Sequence, residues 1–325
     1  MSGDLGAEVV VRAAAATLRK YRHLELILVG DKAELERLAS SIIGEDSRLH
    51  IKHASEVVGM SEAPADALRK KKDSSMRVAI NLVKEGTADA CVSAGNTGAL
   101  MATAKFVLKM LPGIDRPAII AELPAMGGSV HMLDLGANTL ATADHLFQYA
   151  VMGSIVAGDI MGIENPRVAL LNIGAEDTKG HDTVKEAAAV LNASTLNYVG
   201  FVEGTDLMSG KADVVVTDGF SGNVALKTIE GTVALGKYFL SRAFKRNWIT
   251  KLQAVLAGSV LRSLSSEMDS RNYNGATLAG LNGIVIKSHG GADAYAFQHA
   301  IDTAIVEVRN QLPQQIGTLL QKETA

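Results

Sequence analysis

Short apolar runs alternate along the chain with loops rich in Gly, Asn, Asp and Lys, and each loop is followed by apolar residues at helical spacing. Leu24–Val29 leads through Gly30-Asp31 into a helix carrying Leu35 and Leu38, and Asp89–Ser93 leads through Ala94–Gly98 into Leu100–Leu111. Val130–Leu135 meets Gly136-Ala137-Asn138, Val168–Ile173 meets Gly174–Gly180, Val214–Thr217 meets Asp218–Asn223, and Ile284–Ile286 meets Lys287–Gly291. This is the spacing of repeated βα units, which predicts an α/β protein with a mostly parallel sheet and helices on both faces. In such folds ligands sit beyond the carboxyl ends of the strands, where these loops fall.

No Ser/Pro-rich linker, low-complexity tract or solenoid-length repeat interrupts the pattern, so residues 1–325 are read as a single domain with a protruding helical excursion at about 235–264. In the excursion, Phe244, Trp248, Ile249, Leu252, Val255, Leu256 and Val260 share one helical face, and Arg242, Lys245, Arg246, Lys251 and Arg262 surround it. The segment is amphipathic and locally basic.

The 325 residues are 47% apolar but only 4% aromatic, which fits the Ala, Val, Ile and Leu core of parallel sheets under helices. A formal net charge of −3 supplies no overall attraction to nucleic acid or anionic lipid, so nucleic acid is not an expected partner and lipid contact would need the local basic segment. The single cysteine cannot form an internal disulfide, and Cys91 lies in an apolar run that reads as a buried strand, which points to a reducing cytoplasm. Met1–Gly6 has neither a basic n-region nor an apolar h-region, and no stretch offers about 18 uninterrupted apolar residues, so the chain is expected to be neither exported nor membrane-spanning.

Several loops suit an anion. Between a strand and a helix, Ser93, Gly95, Asn96 and Thr97 bring glycine, amide and hydroxyl groups to a helix start, where free N–H groups favour negative charge. The bland alternative is a tight turn in which Asn96 or Thr97 only caps the helix. The loop lacks the P-loop spacing G-x-x-x-x-G-K-[ST]. Asp218, Ser221 and Asn223 repeat the logic, with Lys227 about one turn further on, either reaching back to the loop or standing as a surface lysine. Asn172–Gly180 carries Glu176, Asp177 and Lys179, which either orient an anion or pair among themselves. Lys287–Gly291 adds Lys287 and the titratable imidazole of His289. The eight histidines are scattered, without H-x-x-x-H or C-x-x-C spacing, so no metal site is expected. Neither a G-x-S-x-G elbow nor a G-x-G-x-x-G fingerprint is present, so the nucleophile is expected to come from the substrate.

Together, the runs Arg69–Met76, Val92–Met101, Leu133-Asp134-Leu135-Gly136-Ala137-Asn138 and Asp218–Val224 resemble the PlsX phosphate acyltransferase family, supported by Leu170–Gly174, Tyr273-Asn274-Gly275-Ala276 and Ile286–Gly290. The resemblance runs in order from Ser2 to about Pro313. It implies a three-layer αβα sandwich like that of isocitrate and isopropylmalate dehydrogenases and of phosphotransacetylase, and a homodimer with no cofactor. It also implies transfer of a fatty acyl group from acyl-acyl-carrier protein to inorganic phosphate, giving acyl phosphate for phospholipid (phosphatidic acid) synthesis. The expected location is cytoplasmic or peripheral on the inner face of the cell membrane, with hand-off to a membrane glycerol-3-phosphate acyltransferase. Asn138 joins the binding set on this ground. Departures are Thr139-Leu140-Ala141, where the family tends to have an Asp and a Cys, and Ala175, where an acidic residue is usual. Family members also usually place a strand ahead of the loop that matches Met1-Ser2-Gly3-Asp4, so either the true start lies upstream or the fold does without that core strand.

Phosphate is already a nucleophilic anion, so its attack on a thioester needs positioning and charge stabilisation more than an enzymic Ser or Cys. On this expectation Asn96, Thr97 and Asn223 hold phosphate or the thioester oxygen, Lys179 offsets developing charge, and His289 or Lys287 serves the leaving thiolate. Arg242, Lys245, Arg246, Trp248 and Lys251 are the expected docking patch for an acidic carrier or a membrane, with Lys70, Lys71 and Lys72 as a second cluster. The apolar face of the excursion accepts acyl chain, bilayer or a dimer partner. Rival readings are a phosphotransacetylase-like enzyme on acyl-CoA, a decarboxylating dehydrogenase, and a non-catalytic scaffold that binds carrier or membrane.

Overall fold

The computed structural model describes Met1 and residues 3–324; Ser2, part of the first loop named above, lies outside the described residues. The strands are β1 Leu26–Gly30, β2 Leu49–His53, β3 Ala90–Ser93, β4 Ala118–Ala125, β5 Gly128–Leu133, β6 Val168–Leu171, β7 Tyr198–Val202, β8 Val214–Val216, β9 Ala276–Ala279 and β10 Ile284–Lys287. The helices are α1 Ala7–Lys20, α2 Lys32–Ile42, α3 Pro64–Lys70, α4 Ser75–Lys84, α5 Thr97–Leu108, α6 Ala143–Met161, α7 Asp182–Ala193, α8 Gly219–Phe244, α9 Trp248–Leu256, α10 Gly258–Glu267, α11 Ala294–Arg309 and α12 Leu312–Thr324. Every βα unit read from the sequence is present, and Cys91 is buried in β3 with its thiol pushed up to about 12 by desolvation. Capping explains where several helices begin: the Asp31, Ser74, Asn96, Asp218 and Asp293 side chains each accept from a backbone N–H of the first turn.

Eight strands form one sheet in the order β3-β10-β9-β4-β5-β8-β6-β7, and β1 and β2 form a separate parallel pair. β3 runs parallel to β10, and β5, β8, β6 and β7 run parallel to one another. Three antiparallel pairings lie between these groups: β10 with β9, β9 with β4, and β4 with β5. An odd number of reversals leaves the β5–β8–β6–β7 half pointing opposite to the β3–β10 half. The expectation that all the strand-end loops gather at one edge is therefore corrected, because the loops after β3 and β10 leave one end and those after β5, β6 and β8 leave the other. β4 and β9, both unread in the sequence, cause the difference.

The two halves are also staggered. Thr277 is registered with both Ile286 and Ile120, and Ala121 with Met132, so Lys287 stands level with Met132 of β5. β9 and β4 intervene, a separation of about 14 Å at the usual strand spacing. The carboxyl ends of the two halves thus overlap in height.

Helices α4, α5 and the first turns of α8 cover one face, where Met76, Ile80, Leu100 and Val107 meet Met132 and Val215, with Ala225 and Leu226 packed alongside. On the opposite face α6, α7 and α12 cover Ile120, Leu133, Leu170 and Val214, while Ala300 and Ala304 of α11 cover Ile284 and Ile286. This is the αβα sandwich expected. α6 presses so closely that a Cβ on Gly153 would lie 2.6 Å from Val214 and 2.9 Å from Leu133, so the glycine's helix-propensity cost of about 1 kcal/mol is offset by the approach it permits. Beyond its first turns α8 leaves the sheet, and α9 and α10 bury no residue. Among the described residues, no helix is long and apolar enough to cross a membrane.

Glu307 of α11 is wholly buried, bonded by Thr277 of β9, and burial pushes its carboxyl up to about 8, with Asp159 adding to the rise. The folded chain keeps a proton there that the unfolded chain releases near 4.5. Stability present at acid pH should therefore fall by about 1.4 kcal/mol per pH unit as pH rises through this window. Glu307→Gln should melt like the wild type near pH 5 and clearly above it near pH 9, measured by thermal denaturation across pH; parallel curves would show that the carboxyl is ionised in the fold.

Candidate active site

At the β3 and β10 ends, most polar groups serve the protein itself. The Asn96 carboxamide accepts from Ala99 N at 3.0 Å and donates to the carbonyls of Met60 at 2.8 Å and Glu62 at 2.9 Å. Its side chain thus caps α5 and clamps the loop around residues 59–62, which takes it out of the ligand role expected for it. Ser93 Oγ is likewise engaged, accepting from Gly95 N at 3.2 Å. What remains open is the start of α5, with Thr97 exposed; a Cβ on Gly98 would meet Pro64 at 2.8 Å.

Lys287 points to the same face as Val285, the face of α5 and α8. It is nearly buried, its ammonium donates to the Ser288 carbonyl, and burial lowers it to about 8. Asp4 pulls the lysine back up, and Lys227 on the third turn of α8 pushes it further down. The exit of β10 is held by Asn274, whose amide donates to Ser288 Oγ at 2.8 Å and Ala296 O at 2.7 Å while its oxygen accepts from His289 N at 2.9 Å. His289 is exposed, and its Nδ1 accepts from Gly291 N at 3.1 Å. Asp4 N donates to Gly290 O at 2.9 Å, which draws the first loop to this end.

At the other end Asp134 is the organiser. Its wholly buried carboxylate accepts from Ile119 N at 3.1 Å, Gly136 N at 3.2 Å, Ala137 N at 2.9 Å and Asn138 N at 2.7 Å, and from Asn138 Nδ2 at 3.0 Å. Burial raises the carboxyl above the usual aspartate value, and the donors of Ala137, Ile119 and Asn138 oppose that rise. Asn138 is therefore structural: its amide also donates to Pro117 O at 2.7 Å, and its carbonyl accepts from Gly219 N at 2.8 Å, which seats the start of α8. Only glycine fits at Gly222, where a Cβ would fall 1.9 Å from the Asp134 carbonyl oxygen. Asp218 caps α8 through Ser221 N and Oγ, both at 2.9 Å.

Asn223 is different. It is exposed, stands over Gly136, and has no side-chain hydrogen bond among the described residues. Lys227, one turn on, pairs with Glu230 at 2.8 Å at the surface while acting on Lys287 across the cleft. The second and third turns of α8 therefore bring Asn223 and Lys227, from one half of the sheet, toward Lys287 from the other. Lys179 lies in the β6 loop, whose shape is set by Asn172 donating to Lys179 O at 3.2 Å and accepting from Ile173 N at 2.9 Å. Lys179 is exposed and has no ion pair among the described residues, so the charged turn is not self-paired through this lysine. The buried Lys287, the exposed Lys227 and the open N–H groups at the start of α5 favour a phosphate-sized anion between the halves.

Asp134 and Asn274 were quoted above only as motif residues. The signal for Asp134 was an acid directly after an apolar strand and before a Gly-Ala-Asn turn; for Asn274 nothing local marks it, since its partners lie 14 and 22 residues away. On the arm, Arg242, Lys245, Arg246 and Lys251 are exposed without ion pairs among the described residues, and Trp248 is 74% exposed.

Residues 1–315 match the family model described as "Fatty acid synthesis protein". The phosphate acyltransferase of Alkalilimnicola ehrlichii is 57% identical over 99% of this chain and 94% of its own, and that of Nitrosococcus oceani is 55% identical over 99% and 95%. Among solved structures, a phosphotransacetylase from Streptococcus pyogenes covers 94% of this chain and 92% of its own at a TM-score of 0.63 and 21% identity, a likeness of fold. The chain belongs to the fatty acid synthesis protein family of PlsX phosphate acyltransferases, and it is an acyltransferase enzyme.

Proposed function

We propose that the acyl donor is a fatty acyl-acyl-carrier protein, that inorganic phosphate is the acceptor, and that the acyl phosphate formed feeds phospholipid synthesis through a membrane glycerol-3-phosphate acyltransferase. What carries this reading is the buried Lys287 at the end of β10, approached from the other half of the sheet by the exposed Lys227 and Asn223 of α8. A phosphate dianion placed there is held by charge, and one of its oxygens attacks the thioester carbon. The C–O bond forms, the C–S bond breaks, and the thiolate leaves with a proton. Asn223 and the first N–H groups of α5 orient the phosphate or the thioester oxygen, Lys179 offsets the negative charge that develops, and Lys287 or His289 supplies the proton. An ammonium lowered to about 8 is still mostly charged at neutral pH yet gives up its proton readily, which suits that task.

The exposed cations of the arm serve an acidic carrier, and the apolar side chains beside them suit a second copy of the chain or a membrane surface. The enzyme works as a homodimer on this reading, in the cytoplasm or on the inner face of the cell membrane.

Lys179→Ala and Asn223→Ala should each lower turnover about a hundredfold or more while leaving the melting temperature nearly unchanged, because both side chains are exposed. The assay is phosphate-dependent release of carrier thiol, with acyl phosphate trapped by hydroxylamine; thiol released equally fast without phosphate rules the reaction out. If the charged Lys287 is required, the rate should fall as pH rises through about 8, and Lys287→Arg should be slower but lack that fall, since arginine keeps its charge. Reversing charge in Arg246→Glu with Lys251→Glu should raise KM for the acyl carrier about tenfold with kcat little changed. Unaltered carrier affinity together with unaltered liposome binding removes the docking role.

A further inference from the structure

Four large apolar side chains stand out in solvent around the ends of β5, β8 and β6: Leu140 and Ile173, each 80% exposed, Phe220, 65% exposed, and Val224, 50% exposed. These strands are consecutive and parallel in the sheet, so their ends lie within about 10 Å of one another. The backbone that carries them is held in place. Ile173 follows Asn172, which accepts its N–H at 2.9 Å, and Phe220 and Val224 are four apart on the first turns of α8, flanking Asn223. The bond from Gly219 N to Asn138 O, 2.8 Å, fixes the Leu140 loop against the start of that helix.

We infer that this apolar platform carries the acyl chain next to the reacting carbonyl and sets the preference for long acyl groups. The inference rests on the proposed acyl transfer at the strand ends. An acyl group cannot place its carbonyl carbon beside phosphate without laying its next methylenes on whatever borders that point. The apolar arm does not border it: α8 has 26 residues and is about 39 Å long, and α9, which starts at Trp248 beyond the far end of α8, has 9 residues and is only about 14 Å long. The strand-end platform borders it through Asn223 and Lys179, which lie in the same two segments as Phe220, Val224 and Ile173. Exposed singly, such residues mean little, but four around one open site form a surface for an apolar ligand.

The test compares palmitoyl and acetyl thioesters of the carrier with wild-type enzyme and with the paired variant Ile173→Ser and Phe220→Ser. Each methylene removed from water is worth about fourfold in binding. The palmitoyl kcat/KM should therefore fall at least about tenfold, with the acetyl value within about twofold of wild type, and Phe220→Leu should keep the palmitoyl rate. Equal losses on both donors, or no loss on either, overturn the platform while leaving the reaction intact. A change of oligomeric state by light scattering assigns these side chains to contact with a second copy and overturns it as well. Wild-type thiol release that ignores phosphate sinks the acyl-transfer reading, and the platform with it.

Discussion

The molecule depends on how the middle of its sheet is closed. Where β5 ends, the main chain turns out of the buried end of the strand, and its N–H groups lose their ladder partners where water reaches them only in part. Leaving several of them unbonded would cost about 1–3 kcal/mol each. Asp134 meets that demand with one carboxylate, gathering Gly136, Ala137 and Asn138 of its own loop and Ile119 of the neighbouring β4. The consequence reaches beyond the loop. Asn138, held by Asp134, presents its carbonyl to Gly219, and so the entry of α8 is fixed by the same carboxylate.

From that anchor α8 takes its direction, and its direction joins the two halves of the sheet. The antiparallel β4 and β9 send the strand-end loops to opposite edges, an arrangement that by itself would split any shared site. Stagger brings Lys287 back level with the end of β5, and the third turn of α8 brings Lys227 close enough to depress it further. Two cations that repel each other, one of them largely out of water, are at their lowest energy with an anion between them. Glycines at 219 and 222 make this possible, because any side chain there would drive α8 off the Asp134 loop.

Much of this was legible in the chain. The βα spacing marked β1, β3, β5, β6, β8 and β10 to within a few residues, since these are apolar runs followed by helices, all but α7 with a side-chain cap. β4 and β9 were missed for a physical reason. Their direction is set by pairing partners far away in sequence, such as Ile119 with Leu278, and no local periodicity records which way a strand runs. The site residues divide in the same way. Asn96, Asn138 and Asp218 are polar residues at turns, where capping and ligand binding need the same chemistry, and only their partners reveal that the protein uses them. Asn223 and Lys179 keep their side chains free, a property that depends on which neighbours are missing and that sequence does not carry.

The long arm follows from the same economy of function. On the proposed reaction the acyl group arrives on a carrier protein, whose docking surface need not touch the reacting atoms; the exposed cations of the arm lie at and beyond the far end of α8, a helix about 39 Å long whose start borders the proposed chemistry. A rigid helix is the simplest spacer for such a distance, because one seat on the Asp134 loop sets the aim of everything beyond it. The requirement this places on the sequence is strict at one end and loose at the other. Gly219 and Gly222 allow no side chain, whereas the turns beyond Ile229 are constrained only to stay helical, apolar on one face and basic beside it.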